Sequence, residues 1–175
     1  MNKEKYPPRT NNIINSNVDN VLNHLEEKVR GGFLKDQTLD IDVIKLCEDF
    51  AKELRNLQIS QSSIRNIYDS FKTIQLGLQQ EFIKFFSDNI DNINKAEAEN
   101  KAFNRVHAKI RLMKSKANYV LERKIEDKND PKVQQQNKGY SSLKRFIFVF
   151  VDNIKTKKEF DGFMDLFECV LGNLK

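Results

Sequence analysis

The sequence predicts an all-α fold: a compact bundle of about five to six helices in a single domain, behind a flexible N-terminal tail. Three observations carry that expectation. The 175 residues are 39% hydrophobic, enough for one core, and 13 Phe supply much of its volume. The 6 Gly and 3 Pro show no regular turn spacing, which argues against a β-sandwich or barrel. Apolar residues recur at three- and four-residue intervals along most of the chain, the period of an amphipathic helix.

Residues 1–14 read as the tail and 15–175 as the helical domain. Val18, Val21, Leu22, Leu25 and Val29 mark a first helix, stopped by Gly31-Gly32. A second runs from about Asp40 to Leu57 on Ile44, Cys47, Ala51 and Leu54. Ser60 sits where an N-cap belongs, ahead of Ile64, Ile67, Tyr68 and Phe71. The apolar pattern continues through Ile74, Leu78, Phe82, Phe85, Phe86, Ile90 and Ile93, as one long helix or two with a bend near Gly77. Lys95 to Lys101 is polar and fits either loop or helix. Phe103, Val106, Ile110, Met113, Ala117, Val120 and Leu121 form the stripe of a fourth helix. The stretch 126–139, with Asn129-Asp130-Pro131 and Gln134-Gln135-Gln136, reads as an exposed loop. Phe146 to Val151 would suit a buried strand, but no partner strand exists, and Leu143, Ile147, Phe150, Val151 and Ile154 fit a helical face. Thr156-Lys157-Lys158-Glu159 is a capping box, with Glu159 expected to reach back to the Thr156 N–H. It opens a last helix lined by Phe160, Phe163, Met164, Phe167, Val170, Leu171 and Leu174.

Several function classes find no support. There is no phosphate-cradling Gly-rich loop and no GxSxG elbow. His24 and His107 have no His or Cys nearby and read as surface or boundary residues. A helical ribonuclease of the HEPN type would place His four to six residues after Arg, whereas Arg105 precedes His107 by two. The acid pairs Glu48-Asp49 and Asp88/Asp91 sit among lysines on polar faces and read as solvated surface. Cys47 and Cys169 fall on apolar stripes and read as buried thiols, without zinc spacing. No catalytic residue, cofactor or metal is expected. Met1 to Thr10 lacks the apolar centre of a signal peptide, and no apolar run approaches the roughly 20 residues of a membrane span, so a cytoplasmic protein with no membrane partner is expected.

Charge is distributed unevenly. Net charge is +5, yet Lys101 to Arg145 holds 13 Lys+Arg against 4 Asp+Glu, a local net of +9, which points to a polyanionic partner. At about 100° per residue, Arg105, Lys109, Lys116 and Arg123 share a narrow arc about 27 Å long, able to follow several phosphates of one strand without reading bases. Arg111 and Lys114 lie on the other flank, and Lys124, Lys128, Lys132, Lys138, Lys144 and Arg145 follow. The scarcity of acids at i,i+4 sets this helix apart from a merely solvated one. Arg65 stands near the Ser60 helix start, where free N–H groups favour anions, and Ser63 and Asn66 could add donors. Phe148 falls off the apolar face of its helix and is a candidate protein contact.

Three segments in order resemble one family. Ile59 to Tyr68 (ISQSSIRNIY) is similar to the central helix start of small subunits of type III-A CRISPR (Csm) effector complexes. Leu112 to Arg123 (LMKSKANYVLER) resembles their Leu-Lys-Pro-Lys-x-x-Tyr-x-x-x-Arg-like segment, with Ser115 in place of Pro. Phe160 to Lys175 resembles their C-terminal helix, and Leu143 to Glu159 the helix before it. The stretches 75–101 and 126–139 are longer than the pattern. The resemblance implies a non-catalytic subunit of an RNA-guided interference complex. It would stack with further copies of itself along the backbone subunits, beside the large subunit, and touch target RNA held by the guide-RNA ribonucleoprotein. By position, Arg65, Lys116 and Arg123 match the family's basic residues. Arg105, Lys109, Arg111 and Lys114 are added from the helical arc. Two other readings stay open at this point: a helical adaptor whose basic face meets an acidic protein, and a small helical nuclease.

Overall fold

Aromatic packing organises this chain. The computed structural model describes residues 17–88 and 94–174, so the expected tail, Ile90, Ile93 and Asp91 lie outside the described residues. The element order is α1 (Val18–Arg30), β1 (Leu34–Lys35), β2 (Thr38–Leu39), α2 (Ile41–Asn56), α3 (Gln61–Asp88), α4 (Lys95–Glu122), α5 (Pro131–Asn153) and α6 (Lys157–Asn173). The fold is all-α apart from one two-stranded ribbon. Phe33, Phe50, Phe71, Phe146, Phe150, Phe160, Phe163 and Phe167 are all fully buried. Phe146 is their hub: its ring centroid lies 5.2 Å from Phe50, 4.9 Å from Phe150 and 5.9 Å from Phe167. Phe163 extends the cluster to Phe71 at 5.1 Å. Each fully buried Phe contributes about 1.5–3 kcal/mol relative to exposure, so this set ties α2, α3, α5 and α6 into one body.

The helices follow from their stripes and caps. α1 buries Val18, Val21, Leu22, Leu25 and Val29 and stops at Gly31, with Gly32 at φ +101° turning the chain away. Asp40 caps α2 by accepting from the Asp42 N–H at 3.0 Å. Ser60 directly precedes Gln61, the first residue of α3. α3 runs unbroken through Gly77, so the two-helix option does not apply. Asn94 caps α4 through the Glu97 N–H at 2.9 Å, which makes 95–101 helix. The expected stripe of α4 is buried except for half-buried Val120. α6 has its expected cap, Thr156 Oγ1 accepting from the Glu159 N–H at 3.2 Å. The Glu159 carboxylate, however, accepts from the Lys155 N–H at 2.7 Å and not from that of Thr156.

Other expectations need correction. The stretch 126–139 is not one loop, because α5 starts at Pro131 and the irregular segment ends at Asp130. Asp130 accepts from the Lys132 and Val133 N–H groups at 2.8 and 3.2 Å, and Pro131 fills the first helical turn, where its missing N–H costs nothing. The glutamines that follow are helical because Gln is a good helix former, although they carry no apolar period. The β1–β2 ribbon was not expected: Asp36 (φ 49°) and Gln37 (φ 68°) both take the left-handed conformation of a tight hairpin turn, without the usual Asn or Gly. Its end is pinned by Lys35 and Asp40, 2.7 Å apart, and this ion pair holds the Asp40 carboxyl below its ordinary range. Cys47 is buried, and burial pushes its thiol well above the ordinary range, while Cys169 is only half-buried. Ser63, expected to offer a donor at the surface, is buried. Phe148 is half-buried against the core, with the Lys114 ammonium 4.7 Å from its ring centroid.

Close approach of α5 to the α2–α3 turn depends on Gly139. A Cβ there would stand 2.3 Å from Ile59 Cγ2 and 3.2 Å from Leu57 Cβ, whereas a Cβ at Gly77 meets nothing within 4 Å. The expected outcome is that Gly139→Ala lowers stability by about 1–3 kcal/mol. Gly77→Ala, inside a helix with open space, should raise it by about 0.5–1 kcal/mol. Urea melts of the two variants against the native chain check the pair.

Candidate nucleic-acid interface

The sequence of α4 puts Arg105, Lys109, Leu112, Lys116, Tyr119 and Arg123 at steps of four, three, four, three and four, which keeps them on one side of the helix. That side lies along α3. The two helices run antiparallel, joined by Ile64, Ile67, Phe71 and Leu78 of α3 and by Phe103, Val106, Ile110, Met113 and Ala117 of α4, all buried. Four contacts read out the register: Arg105 to Glu81, Lys109 beside Thr73 and Gly77, Lys116 to Ser70, and Arg123 beside Ser62 and Asn66. The neighbours of successive cations up α4 lie progressively further down α3, from Glu81 through Gly77 and Ser70 to Asn66 and Ser62, so the cations follow the seam.

Most of the local positive charge is neutralised inside the protein. Of the 13 basic residues from Lys101 to Arg145, eight pair with carboxylates: Lys101 with Glu97, Arg105 with Glu81, Arg111 and Lys114 with Asp152, Lys128 with Glu126, Lys138 with Asp19, Lys144 with Glu122, and Arg145 with Glu26 and Asp19. These acids come mostly from other helices, so the scarcity of acids along α4 itself did not mean free cations. Arg111 and Lys114 lie 3.1 and 2.7 Å from Asp152 on the α5 side, away from the seam. Arg105 is 2.8 Å from Glu81 and its guanidinium covers the Phe85 ring at 4.3 Å.

What is left is a short open row. Among the described residues, Lys109, Lys116, Arg123, Lys124 and Lys132 have no carboxylate within ion-pair distance. Lys116 reaches only the Ser70 hydroxyl, at 2.8 Å, and Arg123 only the Tyr119 hydroxyl, at 3.3 Å. Arg65 is exposed on the first turns of α3 and also lacks a carboxylate, but it does not line the cleft where Arg123 meets α3. That cleft, about 330 Å³, is walled by Ser62, Ser63, Asn66, Tyr119, Val120, Arg123 and Lys124. The N-terminal turn of α3 brings its unpaired N–H groups to the same place. The structure therefore groups Lys109, Lys116 and Arg123, sets Arg65 one face away, and removes Arg105, Arg111 and Lys114 from the free row. Sequence reasoning had not singled out Tyr119 or Lys124 as site residues. The signal for Tyr119 was the alternation of cations with large exposed side chains in the four-three spacing.

Among the described residues, no three His, Cys, Asp or Glu side chains are placed to hold a metal ion. His107 is half-buried and stacked on Phe103 at 5.1 Å, and its Nε2 has no hydrogen-bond partner. No described helix is long and apolar enough to cross a membrane.

The described residues build an all-α body with an open row of cations along the α3–α4 seam. The family model for Csm2 Type III-A matches residues 40–172, from the cap of α2 to the end of α6, and the chain belongs to this family, the small subunits of type III-A CRISPR complexes. No curated protein and no solved structure matches the chain.

The pairing pattern makes a gain-of-binding prediction. Asp152→Asn releases Arg111 and Lys114, so the variant should elute from heparin at higher salt than the native chain. Its thermal stability should stay within about 1 kcal/mol, because exposed ion pairs contribute little.

Proposed function

We propose that the chain is the RNA-facing, non-catalytic small subunit of its effector complex, a single-domain cytoplasmic protein whose α3–α4 seam lies along the phosphate backbone of target RNA. The observation that carries this reading is the open row itself. Lys109 and Lys116 on α4 and Arg123 and Lys124 just past its C-terminal end stay unneutralised, with Arg65 nearby on α3, while intramolecular carboxylates take up most other cations of the segment. Cations on a rigid helix meet phosphates at fixed spacing and give affinity without sequence readout. The remaining faces serve contacts with the backbone and large subunits, the guide-RNA ribonucleoprotein and further copies of the chain. Phe148 belongs to these protein contacts, since its half-buried ring borders a groove with Glu26, Arg30, Lys144 and Arg145.

Filter binding of two unrelated single-stranded RNAs across a salt series tests the reading. About five neutralised phosphates predict a log–log slope of about −3 to −4, with little difference between the sequences. Lys116→Glu combined with Arg123→Glu should weaken both RNAs alike and make the slope shallower by about 1 to 2, with an unchanged melt. A flat salt response in the native chain would overturn the reading. Purified protein with Mg²⁺ or Mn²⁺ should leave RNA and single-stranded DNA intact. Cleavage that co-purifies with the chain would contradict the non-catalytic role.

A further inference from the structure

We propose that Tyr119 is a stacking platform for an unpaired base of the bound strand, in the cleft where the end of α4 meets the start of α3. The inference rests on the backbone-binding reading above and adds a base contact to it. Tyr119 is 63% exposed and is the sole aromatic among the large exposed hydrophobic residues described. The other described tyrosines are committed to the fold. The Tyr68 hydroxyl donates to Glu168 at 2.8 Å, and Tyr140 is buried with its hydroxyl accepting from the Ser60 N–H at 3.0 Å. Tyr119 is tied only to the end of its own helix, its hydroxyl accepting from Arg123 Nη1 at 3.3 Å. Its neighbour on the next turn is Arg123, whose guanidinium carbon lies 5.4 Å from the ring centroid.

The surroundings fit a nucleotide and not an apolar ligand. Arg123 and Lys124 offer cations without carboxylate partners for a phosphate, Val120 adds an apolar flank, and the Ser62 and Asn66 side chains border the same cleft with hydrogen-bonding groups. A base laid on the open part of the ring would share it with the Arg123 guanidinium, a layering that both stacking and cation–π attraction favour. A ring on a helix surface can stack only on a base that is not already covered by neighbours in a duplex, so the ligand is single-stranded. Every base has a flat π-face, so the contact tolerates any sequence.

The full chain is titrated with a single-stranded oligoadenylate and with an abasic strand of the same length and phosphate count. Tyr119→Ser should lose about ten- to a hundredfold in affinity for the oligoadenylate, keep native affinity for the abasic strand, and keep the native salt slope. Tyr119→Phe should bind both strands as the native chain does. The protein has 4 Tyr and no Trp, so tyrosine fluorescence gives a second readout. Quenching by oligoadenylate should be present in the native chain and absent in Tyr119→Ser. Unchanged oligoadenylate affinity in Tyr119→Ser would overturn stacking and leave backbone binding standing. An equal loss on both strands would also overturn it, by showing that the ring only positions Arg123. Failure of the native chain to bind either strand at low salt would remove the backbone reading, and this inference with it.

Discussion

The apolar seam between α3 and α4 fixes where the chain's charges can go. Ile64, Ile67, Phe71 and Leu78 are buried with Phe103, Val106, Ile110, Met113 and Ala117, and sliding one helix past the other would expose this stripe. With that register set, every cation on the same side of α4 has an assigned neighbour on α3. Glu81 falls opposite Arg105 and quenches it, whereas Ser70, Thr73, Ser62 and Asn66 fall opposite the others and do not. The electrostatics of the site is thus a consequence of core packing. A change in the buried stripe that shifted the register would re-pair the surface charges.

Neutralisation elsewhere sharpens this pattern. Arg145 joins Glu26 and Asp19 across α5 and α1, Lys138 adds to the same junction, and Lys144 meets Glu122. These pairs are partly exposed and contribute little to stability. Their effect is to leave Lys109, Lys116, Arg123 and Lys124 as the unpaired cations along this seam.

Much of this was legible in the sequence, for a local reason. Rotation per residue in a helix is fixed, so the arc of Arg105, Lys109, Lys116 and Arg123 and its separation from Arg111 and Lys114 could be read before any tertiary structure was known. Pairing could not, because Glu81 and Asp152 arrive from other elements through the register of the core. The start of α5 was hidden by Asn129-Asp130-Pro131, which suits a turn and a helix cap equally, followed by glutamines without apolar period. The β1–β2 ribbon was hidden because Asp36-Gln37 lacks the glycine or asparagine that usually announces such a turn. Tyr119 shows a different kind of miss: its spacing was visible, but an aromatic among cations is ordinary until the buried face of its helix is known.

Lysine footprinting tests the central claim most directly. The chain is acetylated at limiting reagent with and without a single-stranded RNA, and the modified positions are read by mass spectrometry. The account predicts protection of Lys109, Lys116 and Lys124 on RNA addition, with Lys45 on α2 and Lys158 on α6 reacting as before. Protection of Lys45 and Lys158 with unchanged reactivity along α4 would contradict it.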